Sequence, residues 1–363
     1  MEVGIVGLAG VGKTTLFRAL TGNSAPGQRA GGSGAGGTSA AVGIANVPDP
    51  RLGTIASFIP TKKIIPATIR VVDLPGFATG GESSAFARQI LGQIREVDAI
   101  CHVVRGFTGL DGSTPAPASD IDTLETEMIF ADLAIAEPAH DKAVRSARSN
   151  DREAKARLAA LERVLPVLSD GKPIRSVAAA LSPEERAAVA GYGMLTAKPV
   201  LFVTNIDETD IAKPSSPSAD AVAQVAQDAG GEAVALCAKL EAELAELDES
   251  DRAEMLESLG LAEPALGVMA RALYTLLGLT SFYTAGEKEV RAWPINAGAS
   301  APEAAGVIHS DIQRGFIRAE CYHVNDLVQY KSEKAIKEAG KMRSEGKGYH
   351  MQDGDVVHFL FNV

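Results

Sequence analysis

Gly7-Leu-Ala-Gly-Val-Gly-Lys-Thr14 decides the fold of this chain. The stretch fits G-x-x-x-x-G-K-[ST], the loop that cradles phosphate groups. Its surroundings matter as much as the match. Val3, Ile5 and Val6 precede it as the short apolar run of a buried parallel strand. Leu16, Phe17, Ala19 and Leu20 follow it at helical spacing. Strand, loop and helix in that order are the context this motif requires. Gly7 and Gly12 let the backbone curl so that N–H groups point at phosphate oxygens. The helix that opens near Gly12 adds a partial positive charge. Lys13 is expected to reach the β- and γ-phosphates and Thr14 to ligate Mg²⁺, with Ala9, Gly10, Val11 and Thr15 completing the cradle.

Ile69-Arg-Val-Val-Asp-Leu-Pro-Gly76 is the second chemical motif. An apolar strand ends in Asp73, where a carboxylate can hold Mg²⁺ beside Thr14. Gly76 is expected to offer its N–H to the γ-phosphate. Lys13, Asp73 and Gly76 are therefore the catalytic candidates, and Thr14 and Asp73 the metal candidates. The next residue is Phe77, where Ras-like enzymes carry the glutamine that orients the attacking water. A phenyl ring cannot do this, and no side chain in the sequence is an obvious general base. Residues 27–37 contain six glycines and read as a mobile loop. Thr38 and Ser39 beyond it are the candidates for a switch contact to the metal, with a plain flexible insert as the equal alternative. Gly80-Gly81-Glu82 reads as a second loop of that kind.

A third motif follows the apolar strand Pro199–Thr204: Asn205-Ile-Asp-Glu208. Guanine-reading enzymes carry N-K-x-D there, and the aspartate takes two hydrogen bonds from the base. Ile206 replaces the lysine and Glu208 the aspartate, so guanine preference should be weakened and ATP favoured over GTP. Ala233–Lys239 reads as a further strand ending in Cys237-Ala238-Lys239. There the Ala238 N–H is expected to face the base and the Lys239 stem to pack on its ring.

Between these motifs the texture turns helical, from about Asp120 to Ala190. Leu158, Leu161, Leu165 and Leu168 form one apolar seam, and Leu124, Met128, Ala131 and Ile135 another. A polar tip, Arg145–Glu153, separates them. Two antiparallel helices inserted into the nucleotide domain are expected, with Ser182 capping a later helix at Pro183. Lys142, Arg145, Arg148 and Arg152 on the arm read either as a partner contact or as a solvated face. After Leu279 come strand (Val290–Ile295), helix (Ala301–Ile308) and two strands (Gly315–Glu320, Asp355–Phe361), which suggest a small ubiquitin-like α+β domain. The chain is thus read as α/β. A P-loop nucleotide-binding domain (1–118 and 196–277) carries a helical arm (119–195), and residues 278–363 form the small domain.

Composition limits the function. Net charge is −11, so contact with nucleic acid needs a local basic patch, for which Arg314, Arg318 and the lysines at 331–347 are the best place. No apolar run is long enough to span a membrane. The N-terminus enters a strand at once, which argues against a signal peptide. Cys101, Cys237 and Cys321 are three in number and widely spaced, which suits a reducing cytosol and apolar filling rather than a metal site.

Several stretches together resemble one family. They are the P-loop, Pro48-Asp-Pro-Arg-Leu52, His102-Val-Val-Arg105, Asn205-Ile-Asp-Glu208, Phe282–Trp293, Gly315-Phe-Ile-Arg-Ala319, Lys337–Arg343 and Asp353–Val363. The chain is similar to the YchF family, the bacterial relatives of the Obg-like ATPases, over nearly its whole length. The resemblance implies a TRAFAC-class domain with a helical arm and a C-terminal TGS-type domain. It also implies binding and hydrolysis of ATP in preference to GTP with Mg²⁺, association with ribosomes or ribosomal RNA in the cytoplasm, and a monomer without membrane or DNA partners. A hydrophobic residue at the position of Phe77 is a family feature. The sequence departs from the family pattern at Ala9-Gly10, where Pro and Asn are usual, and in both switch loops.

Overall fold

The computed structural model describes residues 1–22, 40–77, 84–109, 111–149, 151–211, 213 and 215–362. Thr38, Ser39, the glycine-rich stretch 27–37 and Gly80-Gly81-Glu82 lie outside the described residues.

Among the described residues twelve strands follow one another: β1 (Glu2–Val6), β2 (Ala41–Val47), β3 (Ile64–Ile65), β4 (Ala67–Asp73), β5 (Ala99–Gly106), β6 (Val200–Ile206), β7 (Glu232–Leu236), β8 (Leu279–Ala285), β9 (Val290–Asn296), β10 (Phe316–His323), β11 (Arg343–Glu345) and β12 (Asp355–Phe361). The chain divides into two compact units, Met1–Ile44 with Arg70–Met269, and Ala45–Ile69 with Ala270–Val363.

The first unit is built on a sheet of order β2-β4-β1-β5-β6-β7. β1 pairs in parallel with β4 and β5, β5 with β6, and β6 with β7. Val3, Ile5, Val6, Ile100, Val103, Leu201 and Phe202 are buried in its centre, as expected of strands covered on both faces. Parallel pairing puts the ends of β1, β4, β5 and β6 at one edge of the sheet, where an open α/β sheet binds its ligands.

The expected helical arm is a pair of long helices, Pro117–Ser146 and Arg152–Ser169, separated by a break near the anticipated tip. Leu161, Val164 and Leu168 are buried in its seam, while Leu158 and Leu165 are only partly covered. On the first helix the inward stripe departs from the apolar reading: Leu124 and Met128 are buried, but so are Glu125 and Asp132. Asp132 accepts hydrogen bonds from Leu195 N and Thr196 N, both at 2.8 Å, and from Thr196 Oγ1 at 2.7 Å. Glu125 pairs with the buried Arg175 guanidinium. These polar contacts tie the first helix to the segments flanking the following helices. Ser182 caps Pro183–Gly191 with a reciprocal bond to Glu185, as its spacing predicts.

Two sequence expectations near the third motif change. The strand at Glu232–Leu236 stops before Cys237, and a helix, Ala238–Glu246, begins directly after it. The Glu- and Leu-rich run from Leu240 to Leu261, which by composition reads as one helical stretch, is broken at Asp248, whose side chain caps a second helix, Glu249–Ser258.

The second unit carries a sheet of order β11-β10-β12-β8-β9-β3. β8 pairs with β9, and β10 with β11 and β12, in antiparallel fashion. The helix Ala301–Ile308 covers one face, over a core of Phe282, Ile295, Ala304, Phe316 and Phe359. β8 and two short helices, Val324–Tyr330 and Glu333–Glu338, add to the four elements anticipated. Residues 45–69, assigned by sequence to the nucleotide domain, group with this unit instead. Ile64 and Ile65 pair with Val290 and Arg291. Asp49 caps the helix Pro50–Phe58, holds the Arg51 guanidinium and accepts from the Tyr283 hydroxyl, and Arg51 reaches Asp353 at 2.6 Å.

Candidate nucleotide site

A cavity of about 890 Å³ opens at the strand ends of the first unit. Ala9, Gly10, Val11, Gly12 and Thr15 form one wall, and Asn205, Ile206, Glu208, Cys237, Ala238 and Lys239 another. All eleven were candidates from sequence. Lys13, Thr14, Asp73 and Gly76 meet behind the first wall: a Cβ placed on Gly76 would lie 2.8 Å from Lys13 Nζ and 3.0 Å from Ala9 Cα. A side chain there would crowd the Ala9 backbone and displace the Lys13 ammonium. Gly12 is required too, since it has φ +97° and a Cβ on it would fall 2.4 Å from Asn205 Nδ2.

The helix Lys13–Thr21 starts directly after Gly12, so its first N–H groups face the cavity end where the loop curls. Lys13 is buried and its Nζ donates to Leu8 O at 2.7 Å. Burial pulls its pKa down, against the attraction of Asp73, which raises it. Thr14 Oγ1 donates to Asp73 Oδ2 at 2.9 Å. Asp73 Oδ1 is buried and has no hydrogen-bond partner among the described residues. Burial raises the Asp73 pKa, and the Thr14 hydroxyl, Lys13 and Arg18 oppose it. A hydroxyl and a partly unsatisfied carboxylate form a hard-oxygen donor pair, and this fits a small divalent cation such as Mg²⁺.

Not every N–H of the loop is free for a phosphate. Ala9 N donates to Phe77 O at 2.8 Å, and Phe77 N donates to Gly7 O at 3.1 Å. Phe77 is thereby locked to the loop by its backbone, with its side chain buried. Ala9 lines the cavity but spends its amide on Phe77.

The base-side motif is organised by Asn205. Its Nδ2 donates to Val11 O at 3.0 Å and its Oδ1 accepts from Ala238 N at 2.9 Å. The Ala238 N–H, expected to face the base, is therefore taken by Asn205. Lys239, expected to lie along the ring, places its Nζ 2.8 Å from Glu208 Oε1. Glu208 thus answers a cation of its own chain at the rim of the cavity.

Arg105, Phe107, Asp111, Ser113, Asp120 and Asp207 also line the cavity. Sequence reading passed over them as site residues, although Arg105 stands at a strand end in register with Asn205. His102, three residues earlier on the same strand, is buried against Phe202 with ring centroids 5.4 Å apart. Burial, with help from Arg175 and Lys13, pulls its pKa down to about 3, so it is a neutral packing residue. The three cysteines are buried and unpaired, and burial alone pushes the Cys101 thiol up to about 12. No helix among the described residues is long and apolar enough to cross a membrane.

Two family models match the chain. One, described as "50S ribosome-binding GTPase", covers residues 2–131, and the other, YchF-GTPase_C, described as "Protein of unknown function (DUF933)", covers residues 279–362. The chain is 43% identical over 371 residues to the ribosome-binding ATPase YchF of Haemophilus ducreyi, with 100% of this chain and 99% of that protein covered. It is 40% identical over 376 residues to the protein of the same name from Bacillus subtilis, with both chains covered in full at 100%. The solved structure of the Schizosaccharomyces pombe YchF GTPase superposes with a TM-score of 0.83 at 30% identity, covering 99% of this chain and 97% of that one. The strand–loop–helix at Lys13, the sheet order around it and these full-length likenesses agree, and the chain belongs to the YchF family of P-loop nucleotidases.

Proposed function

We propose that this protein is a Mg²⁺-dependent ATPase, favouring ATP over GTP, that acts slowly on its own and works with the ribosome in translation or stress regulation in the cytoplasm. The observation that carries the reading is the convergence of Lys13, Thr14 and Asp73 behind the phosphate-loop wall of the cavity, with Asp73 Oδ1 unpartnered among the described residues. Lys13 binds the β- and γ-phosphates by leaving Leu8 O, and the amides of Gly10, Val11, Gly12 and Lys13 stabilise charge on the leaving phosphates. Thr14 and Asp73 would hold Mg²⁺. When bound, the ion neutralises charge shared by the β- and γ-oxygens. Gly76 admits the γ-phosphate because it has no side chain, and its N–H senses it.

The preference for ATP rests on Glu208. A guanine reader carries an aspartate opposite N1 and N2; Glu208 is one methylene longer and turns instead to Lys239 in an exposed pair. The relatives' names, ribosome-binding ATPase, support both the nucleotide and the partner. Equilibrium binding of labelled ATP and GTP with Mg²⁺ tests the reading. Wild type should favour ATP, and the pair Ile206→Lys with Glu208→Asp should move the ratio toward GTP by about tenfold. A wild type that favours GTP would overturn the base-side reading and return the protein to the class of GTP switches.

A second reading is favoured by Phe77, whose buried ring stands where a water-orienting side chain is usual. In it the protein is a nucleotide-gated ribosome adaptor with vestigial chemistry. Turnover measured with ribosomes separates the two: no rate above that of Lys13→Ala supports the adaptor and sinks the enzyme.

A further inference from the structure

We infer that Arg105 is a positioning residue for nucleotide selection, holding Gly109 and Asp111–Thr114 as a wall beside the base and leaving the phosphate end untouched. The inference rests on the nucleotide reading of the cavity but not on which purine it prefers.

β5 runs past both halves of the site. At Val103 it abuts the phosphate loop, since a Cβ on Gly7 would lie 2.3 Å from Val103 O. Two residues later Arg105 and Gly106 are in register with Asn205 and Ile206 of the base-side motif. Gly106 approaches that motif so closely that a Cβ would lie 2.8 Å from Thr204 Cγ2 and 3.1 Å from Asn205 O. The chain therefore leaves the sheet on the base side, and Phe107, Gly109, Asp111 and Ser113 line the cavity there.

What shapes that wall is one guanidinium. Arg105 Nη1 donates to Ser113 Oγ at 2.8 Å and to Ser113 O at 3.3 Å, and Nη2 donates to Thr114 O at 3.3 Å. Around it Gly109 N donates to Ser113 O at 2.9 Å, Gly112 N to Gly109 O at 2.9 Å, and Ser113 N to Asp111 Oδ1 at 3.0 Å. Gly109 closes the arrangement: a Cβ there would lie 2.5 Å from Ser113 Oγ and 2.6 Å from both Arg105 Nη1 and Asp111 Oδ1. A planar fork serving one hydroxyl and two carbonyls is a task for arginine that a lysine ammonium cannot reproduce. Among the described residues Gly109 and Asp111–Thr114 lie in no helix or strand, and the fork adds three of the hydrogen bonds that shape them.

The test compares a whole nucleotide with its phosphate part alone. Arg105→Ala should weaken binding of the purine triphosphate that wild type prefers by about tenfold, the scale of a few lost hydrogen bonds. Inorganic triphosphate, measured by competition, should bind within about twofold of wild type, because the loop at Gly10–Lys13 keeps its own contacts. Arg105→Lys should recover less than half of the loss, and Ser113→Ala should lose about twofold to threefold, having given up one contact of three. In turnover the change should fall on KM with kcat nearly kept. Equal weakening of nucleotide and inorganic triphosphate in Arg105→Lys, or unchanged nucleotide binding in Arg105→Ala, would overturn the inference. Because the nucleotide used is the one wild type prefers, a preference for GTP would refute the ATP reading above without deciding this one.

Discussion

The two ends of the cavity are held together in different ways. At the phosphate end the contacts are backbone geometry and buried charge: glycines with no room for a side chain, Lys13 on Leu8 O, Thr14 on Asp73. At the base end side chains carry them, Asn205 on Val11 O and Ala238 N, Glu208 against Lys239, Arg105 on the Ser113 hydroxyl and the carbonyls of its turn. Contacts made by backbone persist only if the glycines and the lysine persist. Contacts carried by side chains can be exchanged residue by residue. The first arrangement suits a ligand part common to all nucleotides, the second a part that differs between them.

The largest expected effect is at the phosphate end. Lys13→Ala should lower kcat/KM for ATP by at least a hundredfold, since a buried cation aimed at developing charge is lost. A loss of tenfold or less would mean that this end is not the electrostatic centre. Next comes Asn205, which belongs to both ends. Asn205→Ala leaves Val11 O and Ala238 N without their partner, and stability should fall by about 3 kcal/mol. Urea unfolding would measure it, and a change below about 1 kcal/mol would uncouple the two ends.

How dry the sheet beneath the phosphate end is can be read from His102. Its folded pKa, about 3, lies below its ordinary value of 6.5, so the unfolded chain binds the proton more tightly. The stability this gives is complete above pH 6.5 and is lost as pH falls toward 3. Between pH 7 and 5.5 the loss should be about 1 kcal/mol, and His102→Gln should flatten that slope. An identical slope in the variant would mean that water reaches the ring. The smallest effect belongs to the exposed rim. Lys239→Ala should change the ratio of ATP to GTP affinity by no more than about twofold to threefold, because a solvated ion pair is weak.

Much of the phosphate end was legible in the sequence because its chemistry is local. A glycine that must have no side chain, a lysine and a threonine fall within eight residues, and a strand that ends in Asp73 announces itself by apolar patterning. The arm was legible for the same reason, apart from Asp132 and Glu125. Their carboxylates sit on the buried face because partners at Thr196 and Arg175 satisfy them, and nothing nearby in sequence names those partners. At the base end the residue types were visible but their engagement was not. That Ala238 N–H serves Asn205, and that Lys239 serves Glu208, depends on how β6 and the helix after Cys237 meet. Arg105 was quoted as part of a motif, but the hydroxyl and carbonyls it serves lie in a turn with no periodic signature.

The grouping of residues 45–69 with the C-terminal unit has a consequence for how the protein is made. Ile64 and Ile65 find their partners in β9, and Asp49 and Arg51 find theirs at Tyr283 and Asp353, all of which leave the ribosome long after them. Loop closure over so long a separation is slow, and chain synthesis proceeds from the N-terminus. The helix Pro50–Phe58, with Leu52 and Ile55 on its inner face, must therefore wait for its covering while the strands that follow it are still being synthesised. A nascent chain of this protein carries its own unfinished segment near its start, and β8, β9 and the turn at Asp353, made far later, are what close it.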